Sequence, residues 1–220
     1  MCQTQPVDLL IFGAGGHAKV ACDCAREAYP HLLMVTGGDV PGEWQGIAIV
    51  PQATRTLDAW RTLCPRAFVA IGDGHARQRV TRALAEVGFT LVPLVHPRAV
   101  VSPSARLAAG VMVAAGAVVN ADAQLDEGCI VNTGAIVEHE CVVGAFAHLS
   151  PRAVLGGGTV VGAHGWVCLG AAVTDHVRIG DHTTVGAGAA VLADLPGRVL
   201  AVGVPARIRK QYDRAEGIDE

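Results

Sequence analysis

No stretch of this chain is long and apolar enough to cross a bilayer. Of its 220 residues 51% are hydrophobic, yet no uncharged apolar run reaches the ~18 to 20 residues that a membrane-spanning helix needs. Met1 to Asp8 lacks the charged-then-apolar order of a signal peptide, so the expectation is a cytoplasmic protein without a membrane partner. Clustered basic charge is missing too. At a net charge of −3 there is no electrostatic footprint for nucleic acid, which needs concentrated Lys and Arg, and Arg207-Ile208-Arg209-Lys210 is too short to supply one. Nor is there a cysteine framework: the seven cysteines are odd in number, and Cys22 and Cys24 stand too close for a usual pair. No metal site is expected.

What is there is a period of six. From Val101 through Leu107, Val113, Val119 and on to Val191, all sixteen positions of the register are aliphatic. Four residues after each rung the side chain is small or modest, as at Ala105, Ala117, Ala123, Ala135 and Ala147, with Val111 and Val177 the largest. Cys129 and Cys141 fall in this second register, where a thiol acts as a compact hydrophobe. Six is neither the helical 3.6 nor the alternation of a sheet. It is the period of a parallel β-helix, whose coils bury their aliphatic residues only by stacking.

The residues before the repeat alternate strand and helix. Val7 to Phe12 predicts a strand, Gly13-Ala14-Gly15-Gly16-His17 a turn, and Val20 to Ala28 a helix. Leu32 to Val35, Ile47 to Val50, Phe68 to Ile71 and Thr90 to Val95 follow as strands, with helices over Leu57 to Leu63 and Ala76 to Val87. Such alternation predicts a small parallel α/β sheet with its ligand crevice beyond the carboxyl ends of the strands. Gly13, Gly15, Gly16 and His17 lie on that edge, as do Gly72 and Asp73. A glycine turn before a helix leaves amides free for an anion such as a pyrophosphate, though tight packing alone also calls for glycine. Asp39 falls about where a ribose-binding acid would. The segment is about half the length of a full dinucleotide fold, which favours a smaller nucleotide over NAD. The expected division is an α/β domain over 1–96, a β-helix over 97–195 and a tail over 196–220.

Three hexads make one triangular coil, so residues eighteen apart stack at about the ~4.7 to 4.9 Å strand spacing. On that map Gly156, Gly157 and Gly158 lie over Glu138, His139 and Glu140. Three missing side chains open a slot above an acid–His–acid run and bare backbone amides toward it, as a general base and an oxyanion site require; a tight corner would also account for the glycines. His148 stacks against Trp166, and His164 against His182.

These residues resemble the bacterial nucleotide-sugar acetyltransferases, a family related to sialic acid O-acetyltransferases and UDP-amino-sugar N-acetyltransferases. The resemblance is carried by Ile11-Phe12-Gly13-Ala14-Gly15-Gly16-His17-Ala18, Ala70-Ile71-Gly72-Asp73, Leu94-Val95-His96-Pro97, Asn132-Thr133, Glu138-His139-Glu140-Cys141 and Val202-Gly203-Val204-Pro205-Ala206, and it spans nearly the whole chain. It implies a left-handed β-helix assembled as a homotrimer, active sites between subunits, acetyl-CoA lying between prisms, and the nucleotide-sugar held by the α/β domain. It implies His139 as general base, Glu140 orienting it, the Gly157 amide facing the thioester oxygen and His148 contacting the acetyl group. Trp166, Gly186, Gly203 and Pro205 are expected along the CoA groove. The activity implied is N-acetylation of a nucleotide-linked amino sugar, expected to be a 4-amino-4,6-dideoxy sugar. Sugar O-acetylation and a non-catalytic trimer are the alternatives. One departure is Thr36-Gly37-Gly38-Asp39, where relatives often carry an acidic pair; the nucleotide base is left open.

Overall fold

The structure is a computed structural model that describes residues 6–212; Cys2 and the end of the tail lie outside them. The α/β domain is a six-stranded sheet in the order β3-β4-β2-β1-β5-β6, built from β1 (Leu9–Phe12), β2 (Leu32–Thr36), β3 (Gly42–Trp44), β4 (Ile47–Pro51), β5 (Arg66–Val69) and β6 (Thr90–Leu91). Helices α1 (Gly16–Ala25), α2 (Leu57–Leu63) and α3 (Gly74–Val87) connect them. β1 carries a wholly apolar run, LLIF, and is buried at every position, as a central parallel strand covered on both faces requires. α3 starts at an Asp73 cap, whose side chain accepts from the Ala76 amide, and stops at Gly88 in the left-handed region, φ 90°.

Two features depart from expectation. The stretch after β2 is not merely irregular, because β3 folds back antiparallel on β4. The turn between them, Gln45-Gly46, has positive φ at both residues, 48° and 80°, the signature of a two-residue hairpin turn. The expected strand over Thr90 to Val95 is two strands: β6 pairs with β5 in the α/β sheet, while β7 (Leu94–Val95) pairs with Met112–Val113 in the prism. The prism therefore begins at Leu94 rather than after His96. At the other end it runs past 195, since Val199–Val202 continues a prism sheet in parallel before Arg207–Gln211 turns back antiparallel.

The prism has three faces made of two-residue strands, each paired with the strand eighteen residues on. The first face holds β7, Ile130–Val131, His148–Leu149 and Trp166–Val167; the second holds Ile136–Val137 and Val154–Leu155; the third holds Val142–Val143 and Val160–Val161. Every rung of six from Val113 to Val191 is buried, and only Val101 and Leu107, at the uncapped end, are half-buried. A third register of six appears three residues after each rung: from Gly110 to Gly188 every sixth residue has positive φ, near 57° to 69°. Glycine fills seven of these fourteen corners. The others, Glu140, His164 and His182 among them, hold side chains at a backbone cost of order 1 kcal/mol each.

The domains meet through Arg77 of α3, which is 1% exposed. Its guanidinium donates to the Ile71 and Gly72 carbonyls in its own domain and to those of Gly128 and Phe146 in two successive coils, all at 2.7 to 2.8 Å. Burial lowers its pKa to about 10, and the carbonyls stand in for the water it has lost.

Candidate active site

His139 and Glu140 occupy the corner between the second and third faces. His139 Nδ1 donates to Glu140 Oε2 at 3.1 Å. A carboxylate can only accept, so the proton sits on Nδ1 and Nε2 is left as the basic nitrogen. Both side chains are more than half exposed. One coil on, a Cβ at Gly157 would stand 2.6 Å from Cε1 and Nε2 of His139, so the imidazole lies in the space that the missing side chain leaves. The slot read from the eighteen-residue register is real, and the ring fills it. Gly158 leaves room for His176 in the same way: a Cβ there would meet His176 Nδ1 at 2.5 Å.

The expected bare amides are not found. Gly156 donates to the Val173 carbonyl and Gly158 to that of His139, while Gly157 donates to Asp175 Oδ1 at 3.1 Å. The reason is the coil ladder, which engages corner amides with the neighbouring coil; the Ala163 amide is likewise bonded to Asp181 Oδ1 at 2.8 Å. Asp175 lies eighteen residues beyond Gly157, so the same register that located the glycines contained it.

A second group of residues lies on the first face, against the α/β domain. His148 Nε2 accepts from Asn132 Nδ2 at 3.1 Å, and the Thr133 amide donates to Asn132 Oδ1, which fixes the orientation of that amide. Trp166 stacks parallel to His148, with ring centroids 6.1 Å apart, and donates from Nε1 to Ser150 Oγ at 2.8 Å. His17, at the start of α1, comes within 6.3 Å of the His148 ring, and its Nε2 is buried without a partner. Burial, reinforced by Arg77, takes the His148 pKa down to about 3 and that of His17 to about 4. Both are therefore neutral at physiological pH. A cleft of about 320 Å³ joins the domains here, lined by Gly72, Asp73, His75, His148, Trp166 and Thr184 among others.

The glycines of the α/β edge divide by role. A Cβ at Gly13 would overlap the Ala70 carbonyl oxygen at 2.6 Å, and its φ is 131°, so packing demands that glycine. Gly15, Gly16 and Gly72 face open space, and α1 begins at Gly15 without a side-chain cap, which leaves its positive end available to an anion. Asp73 is engaged as the α3 cap, and Asp39 is exposed beyond β2. Gly186 is packed against Val202, while Gly203 and the cis-bonded Pro205 follow the last parallel strand. One chain does not unite these residues. His139 sits at the corner between the second and third faces, His148 and Trp166 lie on the first, and Gly186 and Gly203 are nearer the far end of the prism. Arg77, Asn132, Ser150 and Asp175 complete the arrangement and were not expected in these roles.

Residues 8–84 match the PglD N-terminal domain family. A histidine-to-asparagine variant of perosamine N-acetyltransferase from Caulobacter crescentus, solved with CoA and GDP-perosamine, is 41% identical, with 93% of this chain and 97% of that chain covered and a TM-score of 0.88. The acetyltransferase domain of PglB from Neisseria gonorrhoeae FA1090, solved with acetyl coenzyme A, is 35% identical over 92% of this chain and 98% of that one, at a TM-score of 0.86. WeeI from Acinetobacter baumannii AYE shares the fold at 20% identity and a TM-score of 0.84. The chain belongs to the hexapeptide-repeat nucleotide-sugar N-acetyltransferases. Its fold is theirs, a Rossmann-like α/β domain followed by a left-handed parallel β-helix.

Proposed function

We infer that the protein transfers the acetyl group of acetyl-CoA to the amine of a nucleotide-linked amino sugar, with His139 as general base. The observation that carries this is the more than half-exposed His139 ring seated on Gly157 with Nδ1 held by Glu140, which leaves Nε2 as the nitrogen to take the proton. The amine attacks the thioester carbonyl and passes its proton to Nε2. The tetrahedral oxyanion collapses and the CoA thiolate leaves, so a direct transfer needs neither a metal nor an acyl-enzyme. In this reading Gly157 contributes first by lacking a side chain; its amide serves the oxyanion only by sharing or leaving the Asp175 carboxylate.

A homotrimer completes the site. His139 and the His148–Trp166 face lie on different edges of one prism, so a neighbouring copy is needed to set one against the other. Trp166 and Leu169 are 42% and 58% exposed, apolar surface that a second prism would cover. Acetyl-CoA then lies between prisms, with neutral His148 at the acetyl group, Trp166 beside it, and Gly186, Gly203 and Pro205 toward the outer end of the groove. The nucleotide diphosphate meets the uncapped start of α1 at Gly15, Gly16 and His17, with Gly13 shaping the turn and Asp39, Gly72 and Asp73 around the crevice. The acceptor is the amine of a 4-amino-4,6-dideoxy sugar. None of this requires a membrane, and among the described residues no helix is long and apolar enough to cross one. The test is thiol release from acetyl-CoA with GDP-, UDP- and TDP-linked amino sugars beside free sialic acid. Turnover with an amino sugar supports the reading; turnover with sialic acid alone overturns it.

A further inference from the structure

Three histidines at the domain joint line the same cleft as His148 and Trp166 but have no part in the acetyl transfer described above. His75 stands in the first turn of α3. His164 and His182 occupy the same corner of the prism on successive coils, directly after Phe146 in that column. Their rings are parallel within 8°, with centroids 4.3 Å apart for His75 and His164, 5.2 Å for His75 and His182, and 4.9 Å for His164 and His182. One ring nitrogen from each lies within 4.8 Å of the other two.

Both prism histidines hold φ 57°, at a register position that the earlier coils of this column fill with Gly110 and Gly128. The nearby acids do not pair with them: Asp73 Oδ1 accepts from the Ala76 amide and Asp181 Oδ1 from that of Ala163. Burial, with the neighbouring imidazoles, takes the His164 pKa to about 4, and burial with Arg198 lowers that of His182. His164 Nδ1 is also buried without a hydrogen-bond partner, and the lone pair of a neutral imidazole is what coordination uses.

We propose that His75, His164 and His182 bind one divalent transition-metal ion of the zinc class, which fastens the α/β domain to the prism. Neutral imidazoles suit Zn2+, Cu2+ and Ni2+, and three protein nitrogens with an open fourth position is a recurrent zinc arrangement. Stacked rings point their lone pairs side by side, so coordination requires them to converge. Nitrogens ~2.0 to 2.1 Å from a tetrahedral ion stand about 3.3 Å apart, a closure of at most about 1.5 Å from separations that all lie within 4.8 Å. All three rings are only half-buried and supply it by turning about χ2. All three histidines line the 320 Å³ cleft, from which water would complete the shell. The acetyl transfer does not pass through this ion.

Full-length protein stripped with chelator is titrated with Zn2+ by calorimetry and with Co2+ by visible absorption. The expected result is one ion per chain, a rise in Tm on loading, and cobalt d–d bands without thiolate charge transfer. His75→Asn and His182→Asn each weaken binding at least tenfold, while His176→Asn, on a different corner, leaves it unchanged. Absence of saturable binding to the wild type, thiolate bands, or binding that survives both substitutions overturns the proposal. The wild-type titration decides the matter alone if neither variant folds.

Discussion

Glu140 holds Nδ1 of His139 at 3.1 Å from a backbone bent to φ 58°. At seven of the fourteen corners of this register glycine adopts that conformation without cost; here a carboxylate occupies it, placed beside the preceding imidazole. Glu140→Gln keeps the volume and an acceptor oxygen but removes the charge that stabilises the imidazolium formed during transfer. Expected is a fall in kcat of at least ~10-fold, a part of the ~10² to 10⁴ that a general base contributes as a whole, with little change in KM for acetyl-CoA, measured by steady-state thiol release. An unchanged kcat would assign Glu140 to the fold alone.

Gly157→Ala tests the seat of the imidazole. The added methyl would stand 2.6 Å from His139 Nε2 and Cε1, closer than carbon and nitrogen pack, and the exposed ring rather than the coil must yield. The expected outcome is a loss of activity on the order of 10²-fold, the scale of losing the base, with a melting temperature within a few degrees of wild type.

Arg77→Met should separate the domains thermally. It leaves the carbonyls of Ile71, Gly72, Gly128 and Phe146 without their donor, and hydrogen bonds from a charged group contribute about 1.5 to 3 kcal/mol each. Calorimetry is expected to show the α/β domain melting earlier while the prism transition stays in place. A single transition shifted as a whole would mean that Arg77 stabilises both domains as one unit.

Stability should fall with acid across a window set by buried histidines. His148 and His17 titrate near 3 and 4 in the folded chain, against about 6.5 when unfolded. Between those values the unfolded state binds more protons, so stability rises with pH. It is fully present above about pH 6.5 and lost as pH falls toward 4 and then 3, at no more than ~1.4 kcal/mol per pH unit for each group. Urea unfolding from pH 7.5 to 4 checks this, and His148→Gln should reduce the slope. A slope that does not change would show that His148 is not desolvated.

Much of this was legible in the ladder of sixes. It fixed the prism, and counting in eighteens put Gly157 over His139, where the structure has the imidazole resting on that glycine. The register could not reveal that the Gly157 amide is taken by Asp175, because hydrogen-bond direction is decided by the corner geometry rather than by residue type. Arg77 was hidden for a different reason: a charged residue on an amphipathic helix reads as surface, and only the docked prism turns that position inward. Pro93 marks the break between β6 and β7, since a proline cannot donate to a strand ladder, but the apolar residues on either side of it read as one strand. The Gln45-Gly46 hairpin lacks the Asn-Gly or Asp-Gly pair that announces such a turn.

The most direct test of the account is thiol release by His139→Asn beside wild type, using the amino sugar that the wild type accepts. Asparagine keeps a polar side chain but cannot take the proton, so kcat should fall by at least ~10² while CoA and the nucleotide-sugar still bind and the oligomer keeps its size. Turnover near that of the wild type would contradict the assignment of His139 as the base.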